Sequence, residues 1–136
     1  MQVTQEAQTL LFSQSLPAVE QIDTFAAAIN GSEAAKVEFR ALIEQRAAEK
    51  AQSVATGIGL YIVGNYSKAV EKLMGGRESM QKFVFLGRAL RACKKYNEAL
   101  EAFEMALKQK GDAQKMTLEK AETLTQAGRF DEAKKI

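Results

Sequence analysis

The sequence predicts an all-α protein whose second half is a stack of antiparallel helix pairs. Three observations carry this expectation. Ala, Glu, Lys, Gln and Leu, all good helix formers, dominate the composition. Proline occurs once, and runs of β-branched residues are few. A short segment built around an aromatic residue recurs three times at the interval of a helical repeat. The 136 residues, 46% apolar and 26% charged, fit a single globular domain with a core of useful size.

The elements follow in order. Val3 to Ser13 can form a first helix, and Ser15-x-Pro17 then resets the chain, with the proline tolerated in the first turn of a second helix. Ile22, Phe25, Ala26 and Ile29 mark the buried stripe of that helix. Asn30-Gly31 supplies a stop, and Ser32 is the expected N-cap of a third helix, with Glu33 placed favourably at the positive end of its dipole. From there Ala35, Phe39, Leu42, Ile43, Ala47, Ala51, Val54, Ile58, Tyr61 and Ile62 hold a helical period. One long helix over 33–63 and two helices broken near Ala48–Ser53 satisfy that pattern equally.

Several function classes are disfavoured by composition. There is no histidine, which removes the usual general base near neutral pH, the commonest zinc ligand and every histidine-containing triad. Gly57-x-Gly59 and Gly75-Gly76 lack the Lys-Ser/Thr and strand-to-helix setting of a phosphate loop and read as packing and turn glycines. The single cysteine, Cys93, lies in a helical pattern and reads as a small buried hydrophobe. The tripeptides Asn30-Gly31-Ser32 and Asn65-Tyr66-Ser67 match a glycosylation pattern too short to carry weight. No catalytic residue, cofactor or metal is therefore expected; an enzyme would need carboxylate or lysine chemistry, for which no constellation is present. No apolar run approaches the roughly 20 residues that span a bilayer. Residues 1–6 lack the cationic start of a secretory leader, so a cytoplasmic location is the default expectation.

The recurring segments are Gly64-Asn65-Tyr66-Ser67-Lys68-Ala69, Lys94-Lys95-Tyr96-Asn97-Glu98-Ala99 and Gly128-Arg129-Phe130-Asp131-Glu132-Ala133. Each reads turn, aromatic, two polar residues, alanine, and the aromatics stand thirty and then thirty-four residues apart. Between Met80 and Ala113 the pattern is fullest: Phe83, Leu86-Gly87 and Leu90, then Tyr96, Ala99, Phe103 and Ala106. This order resembles the tetratricopeptide repeat, with Leu90 in place of the usual tyrosine and Gly111 in place of the usual proline, and the resemblance implies a right-handed stack of the helix pairs, an α-solenoid with additional N-terminal helices. Small residues at Gly87, Ala99 and Ala106 would let two helices approach while Phe83, Tyr96 and Phe103 fill the space around them. The resemblance covers about residues 50–136: an irregular unit over 50–79 ending at Gly75-Gly76, the best unit over 80–113, and an incomplete one over 114–136 with Lys120 where leucine is usual. Residues 1–49 read as divergent N-terminal helices of the same domain.

The resemblance implies a non-catalytic adaptor or scaffold in which the first helix of each pair lines a groove for a partner segment. Carried over by position, the groove would present Ala51, Val54, Ile58, Tyr61 and Ile62, then Gln81, Val84, Arg88, Arg91 and Ala92, then Lys115, Leu118, Glu122, Thr125 and Gln126. Arg88 and Arg91 lie three apart on one face and could grip carboxylates, which would suit an acidic tail of a cytoskeletal or chaperone subunit; two merely solvated arginines fit the spacing equally. The chaperone-tail clamp itself is not matched, since Gln81, Val84 and Phe85 occupy the middle-unit positions where part of it would lie. Residues 1–63 hold four Lys/Arg against seven Asp/Glu, and residues 64–136 fifteen against ten. The second half is thus basic, but without the aromatic-basic pattern of a nucleic-acid module. A different class, a self-assembly module capped through its last repeat, is suggested by Leu118, Leu124 and Phe130, which lack a full following helix to cover them.

Overall fold

The computed structural model describes residues 2–13, 15–49 and 53–136. Among the described residues it forms nine α-helices and no strand. The chain divides into two compact units, Met1–Arg77 and Glu78–Ile136.

The first unit holds α1 (Gln2–Leu10), α2 (Val19–Asn30), α3 (Glu33–Ala47), α4 (Ser53–Ile62) and α5 (Tyr66–Met74). The first helix stops three residues before the expected Ser13. There the Ser13 hydroxyl donates to the Ser15 carbonyl at 3.0 Å, one of the local bonds by which serine draws backbone away from a helix. Pro17 falls ahead of α2 and not within its first turn. Ala18 is the N-cap, and its N–H donates to the side chain of Gln21. Ser32 caps α3 as expected, accepting from the Ala35 N–H at 3.2 Å. Of the two readings of 33–63, the broken one is observed, with α3 ending at Ala47 and α4 beginning at Ser53.

α3 is the hub of this unit. Ile22, Phe25 and Ile29 of α2 are buried on one side, where the Phe25 and Phe39 rings meet edge to face with centroids 5.5 Å apart. α1 is tied to α3 by the Thr4 N–H and hydroxyl, which donate to Glu38 Oε2 at 2.9 and 3.1 Å. Glycines set the approach of α4 to its two neighbours. A Cβ at Gly59 would collide with the Ile43 side chain of α3, and one at Gly57 would sit 2.6 Å from Leu73 Cγ of α5. Gly57-x-Gly59 is thus a pair of packing glycines on opposite faces of one helix.

The second unit holds α6 (Met80–Ala92), α7 (Tyr96–Lys108), α8 (Ala113–Gln126) and α9 (Phe130–Lys134). Ser79 and Asp112 cap α6 and α8, accepting from the N–H groups of Lys82 and Lys115 at 3.1 and 3.0 Å. α6 and α7 form the tightest hairpin: Phe103, Ala99 and Ala106 are fully buried, and a Cβ on Gly87 would lie 2.5 Å from Phe103 Cε1. Lys120, at the usual leucine position of the next pair, is half-buried and ion-paired with Glu104 of α7. Cys93 is the C-cap of α6 and only half-buried, a correction to its expected place inside the helix.

The three recurring segments fold alike. Gly64, Lys94 and Gly128 all take left-handed backbone, with φ of 87°, 65° and 79°. The next N–H in each case reaches back five residues, Asn65 to Leu60, Lys95 to Leu90 and Arg129 to Leu124, at 2.9, 2.9 and 2.8 Å. This is the helix-ending geometry that satisfies otherwise unpaired carbonyls and reverses the chain in a few residues. Of these three, Lys94 alone adopts it with a side chain; Lys110, with φ of 67°, does the same at the turn after α7, where the Gly111 N–H reaches Ala106. Lys94→Gly is therefore expected to raise stability by about 0.5–1 kcal/mol, the relief of left-handed strain less the added freedom of the unfolded chain. Gly87→Val is expected to lower it by about 1–3 kcal/mol through overpacking against Phe103. Urea denaturation followed by circular dichroism measures both.

Candidate functional site

The residues expected to line a groove separate into those buried in the core, those clasping α6 to α8, and those exposed on α8. In the first unit Val54 (9% exposed), Ile58 (0%) and Ile62 (6%) are buried. Tyr61 is half-buried, its ring 5.6 Å from that of Tyr66. The expected apolar floor is therefore core. Its physical origin is visible in α4, SVATGIGLYI, which carries no charged residue on any side, as a helix covered all round does. Ala51 lies outside the described residues.

In the second unit Val84 is also fully buried and Gln81 half-buried. The arginines of α6 meet a carboxylate from α8. Arg88 Nε donates to Glu119 Oε2 at 2.6 Å, and Arg91 Nη1 donates to Glu119 Oε1 at 2.9 Å. The same Arg91 nitrogen lies 3.4 Å from Thr123 Oγ1 and 3.7 Å from a Glu122 carboxylate oxygen. The Thr123 hydroxyl donates in turn to the Glu119 carbonyl at 2.8 Å. The guanidinium carbons of Arg88 and Arg91 sit 5.1 and 5.7 Å from the Phe85 and Phe103 ring centres. Glu119 is only 8% exposed, so these charges interact through protein more than through water.

The arginine pair expected to grip an acidic partner thus already holds a carboxylate of its own unit. A partner carboxylate would have to displace Glu119 and leave it unpaired in a poorly solvated place, which is costly. The cluster is a structural clasp between α6 and α8. Neither its carboxylate nor its partnership was visible in the sequence, because the participants stand about thirty residues apart on different helices.

The exposed group lies on α8. Lys115, Leu118 and Glu122 are exposed, Leu118 at 64%, whereas Leu124 is buried. Spacings of three and four place them along one side of the helix. Phe130 of α9 is also exposed, at 58%. A feature missed by the sequence reading is a polar pocket of about 390 Å³ at the recurring turns, lined by Lys94, Lys95, Asn97 and Arg129 among others. Arg129 Nη1 donates there to Asn97 Oδ1 at 2.7 Å, joining the start of α7 to the turn before α9. Its hydrogen bond with Glu132 holds that carboxyl below the usual carboxylate range. No group of three or more Cys, Asp or Glu suited to a metal occurs among the described residues. No described helix is long and apolar enough to cross a membrane.

Tandem hairpins with one common turn and small residues at the helix contact define a helical-repeat protein. Residues 90–136, from the last turn of α6 through α9, match the family model described as tetratricopeptide repeat, so over that segment the chain is similar to tetratricopeptide-repeat proteins. No curated protein and no solved structure matches the chain significantly.

Replacing Glu119 leaves two guanidinium groups with too few acceptors in a largely desolvated site. Glu119→Ala is expected to destabilise the chain by about 3 kcal/mol or more, with Glu119→Gln intermediate because its amide oxygen still accepts one bond. Chemical denaturation of the two variants checks the order.

Proposed function

We propose that the protein is a non-catalytic adaptor or scaffold that holds a segment of a partner protein against its helix pairs. The observation that carries this reading is the tetratricopeptide match over residues 90–136. Repeats of this family are interaction modules, and helices already fixed in place lose little freedom when a partner docks.

The contact surface we assign is the open side of α8. Leu118 is its apolar anchor, flanked by a cation at Lys115 and an anion at Glu122, a pattern suited to a partner segment with an apolar face and charges of both signs. Gln81 borders the same unit on α6. Val54, Ile58, Tyr61, Ile62 and Val84 contribute by making the hairpins rigid, and Arg88 and Arg91 by clasping α8. A cytoskeletal or chaperone-type acidic tail gripped by those arginines is not part of this reading, given their hold on Glu119. The proposed location is the cytoplasm. A second reading, self-association, is favoured by the exposure of both Leu118 and Phe130. Light scattering across a concentration series supports it if the mass rises with concentration and Phe130→Asp abolishes the rise.

The adaptor reading is tested by affinity capture from the native cell with wild-type protein and the Leu118→Asp variant. Leu118 is surface-exposed, so the variant is expected to keep its helical circular dichroism and melting profile. Partners retained by the wild type and lost at least about tenfold by the variant support the assignment, since burying a leucine-sized anchor contributes about 1.5–3 kcal/mol. Identical captured sets contradict it.

A further inference from the structure

The three N-terminal helices carry a second surface, independent of the repeats. α3 has two apolar stripes. Phe39, Leu42 and Ile43 are core, at 0%, 7% and 0% exposure. Ala34, Val37 and Ala41, at spacings of three and four, form another stripe and stay exposed, Val37 at 65%. A helix with one apolar stripe needs one neighbour; the second stripe of α3 is available for another.

This stripe lines a groove of about 750 Å³, which is bounded on the α1 side by Thr4 and includes Leu42. Its described charged lining is acidic. Among the described residues, Glu33 and Glu38 are its only ionisable lining groups, with no lysine or arginine. Glu33 is paired along the helix with exposed Lys36 at 3.1 Å, whereas Glu38 accepts from the neutral donors of Thr4. Residues 1–49 as a whole hold three Lys/Arg against seven Asp/Glu.

We propose that the groove between α1 and α3 docks a basic amphipathic helix of a partner protein. The partner's apolar face rests on Ala34, Val37 and Ala41, and its lysine or arginine side chains lie over Glu38 and Glu33. Ala34 and Ala41 stand two turns apart and project only methyl groups, so a second helix axis can approach near the short end of the usual 8–10 Å range. Charge selects a foreign occupant over a second copy of this chain. A two-fold pairing of the stripes through Val37 would bring Glu38 of one copy to Glu38 of the other, acid against acid.

The test uses the full chain and two labelled synthetic amphipathic peptides of about 18 residues, five helical turns. Both have a leucine-alanine face; one is flanked by lysines and the other by glutamates. Fluorescence anisotropy is expected to show saturable binding of the lysine peptide, weakened at high salt, and none of the glutamate peptide. Val37→Arg, at an exposed position, and separately Glu38→Gln, which keeps an acceptor for Thr4, are each expected to weaken binding by about tenfold or more. Leu118→Asp leaves it unchanged, so failure here and failure of the repeat surface are distinguishable. The proposal is overturned if the lysine peptide does not bind, if both peptides bind equally, or if neither groove variant alters binding. It is also overturned if light scattering shows a dimer that Val37→Arg dissociates, because the occupant is then a second copy.

Discussion

One carboxylate shared by two arginines holds the second unit together. Glu119 of α8 lies between Arg88 and Arg91 of α6 at 2.6 and 2.9 Å. A neutral contact could slip along either helix at little cost, but a desolvated charge triad has few good geometries. It therefore fixes α8 against α6, and the Thr123 hydroxyl bonds one turn further along the same helix. With the inner side of α8 held in this way, Leu118 stands exposed on a rigid support, beside Lys115 and a Glu122 whose carboxylate lies 3.7 Å from Arg91.

The clasp works only because the hairpin beneath it is close-packed. Phe103 fills the space that a side chain at position 87 would take, and Ala99 and Ala106 let α7 lie flat against α6. The turn joining the two is the same device used before α5 and α9: one left-handed residue, followed by an N–H that reaches back to a helix carbonyl. Repeated turns of one geometry produce repeated hairpins of one shape. A tetratricopeptide match can therefore extend over α7, α8 and α9 although Lys120 replaces leucine and Arg88, Arg91 and Glu119 bring charge into the packing.

The all-helical class was legible from helix formers and the scarcity of proline, and the turns from their aromatic-alanine pattern, because each depends on residues near one another in the chain. The Ser32 cap was legible for the same reason. The break after Ala47 was not, since Ala48 and Glu49 carry neither the glycine nor the proline that usually marks a helix end. Burial of Val54, Ile58 and Ile62 could have been anticipated from the absence of charge around α4. Position within the repeat pointed instead to a groove, and that inference assumes that nothing else in the chain covers it. The role of Arg88 and Arg91 was hidden more deeply. Spacing along α6 shows that they share a face, but what that face meets depends on a residue thirty positions away. The exposed stripe of α3 was also present in the sequence, masked by the stronger stripe through Phe39 and Ile43.

The proposed function rests on this division between clasped and exposed surfaces. Groups buried between the helices build the platform, and the proposed contact surface is its exposed side around Leu118. The most direct check on this account is a double-mutant cycle between Arg91 and Glu119, using stability as the readout. A structural clasp predicts a coupling energy of about 1–3 kcal/mol between the two residues. Additive effects, with no coupling, would contradict the clasp and return the arginines to the surface as free groups for an acidic partner.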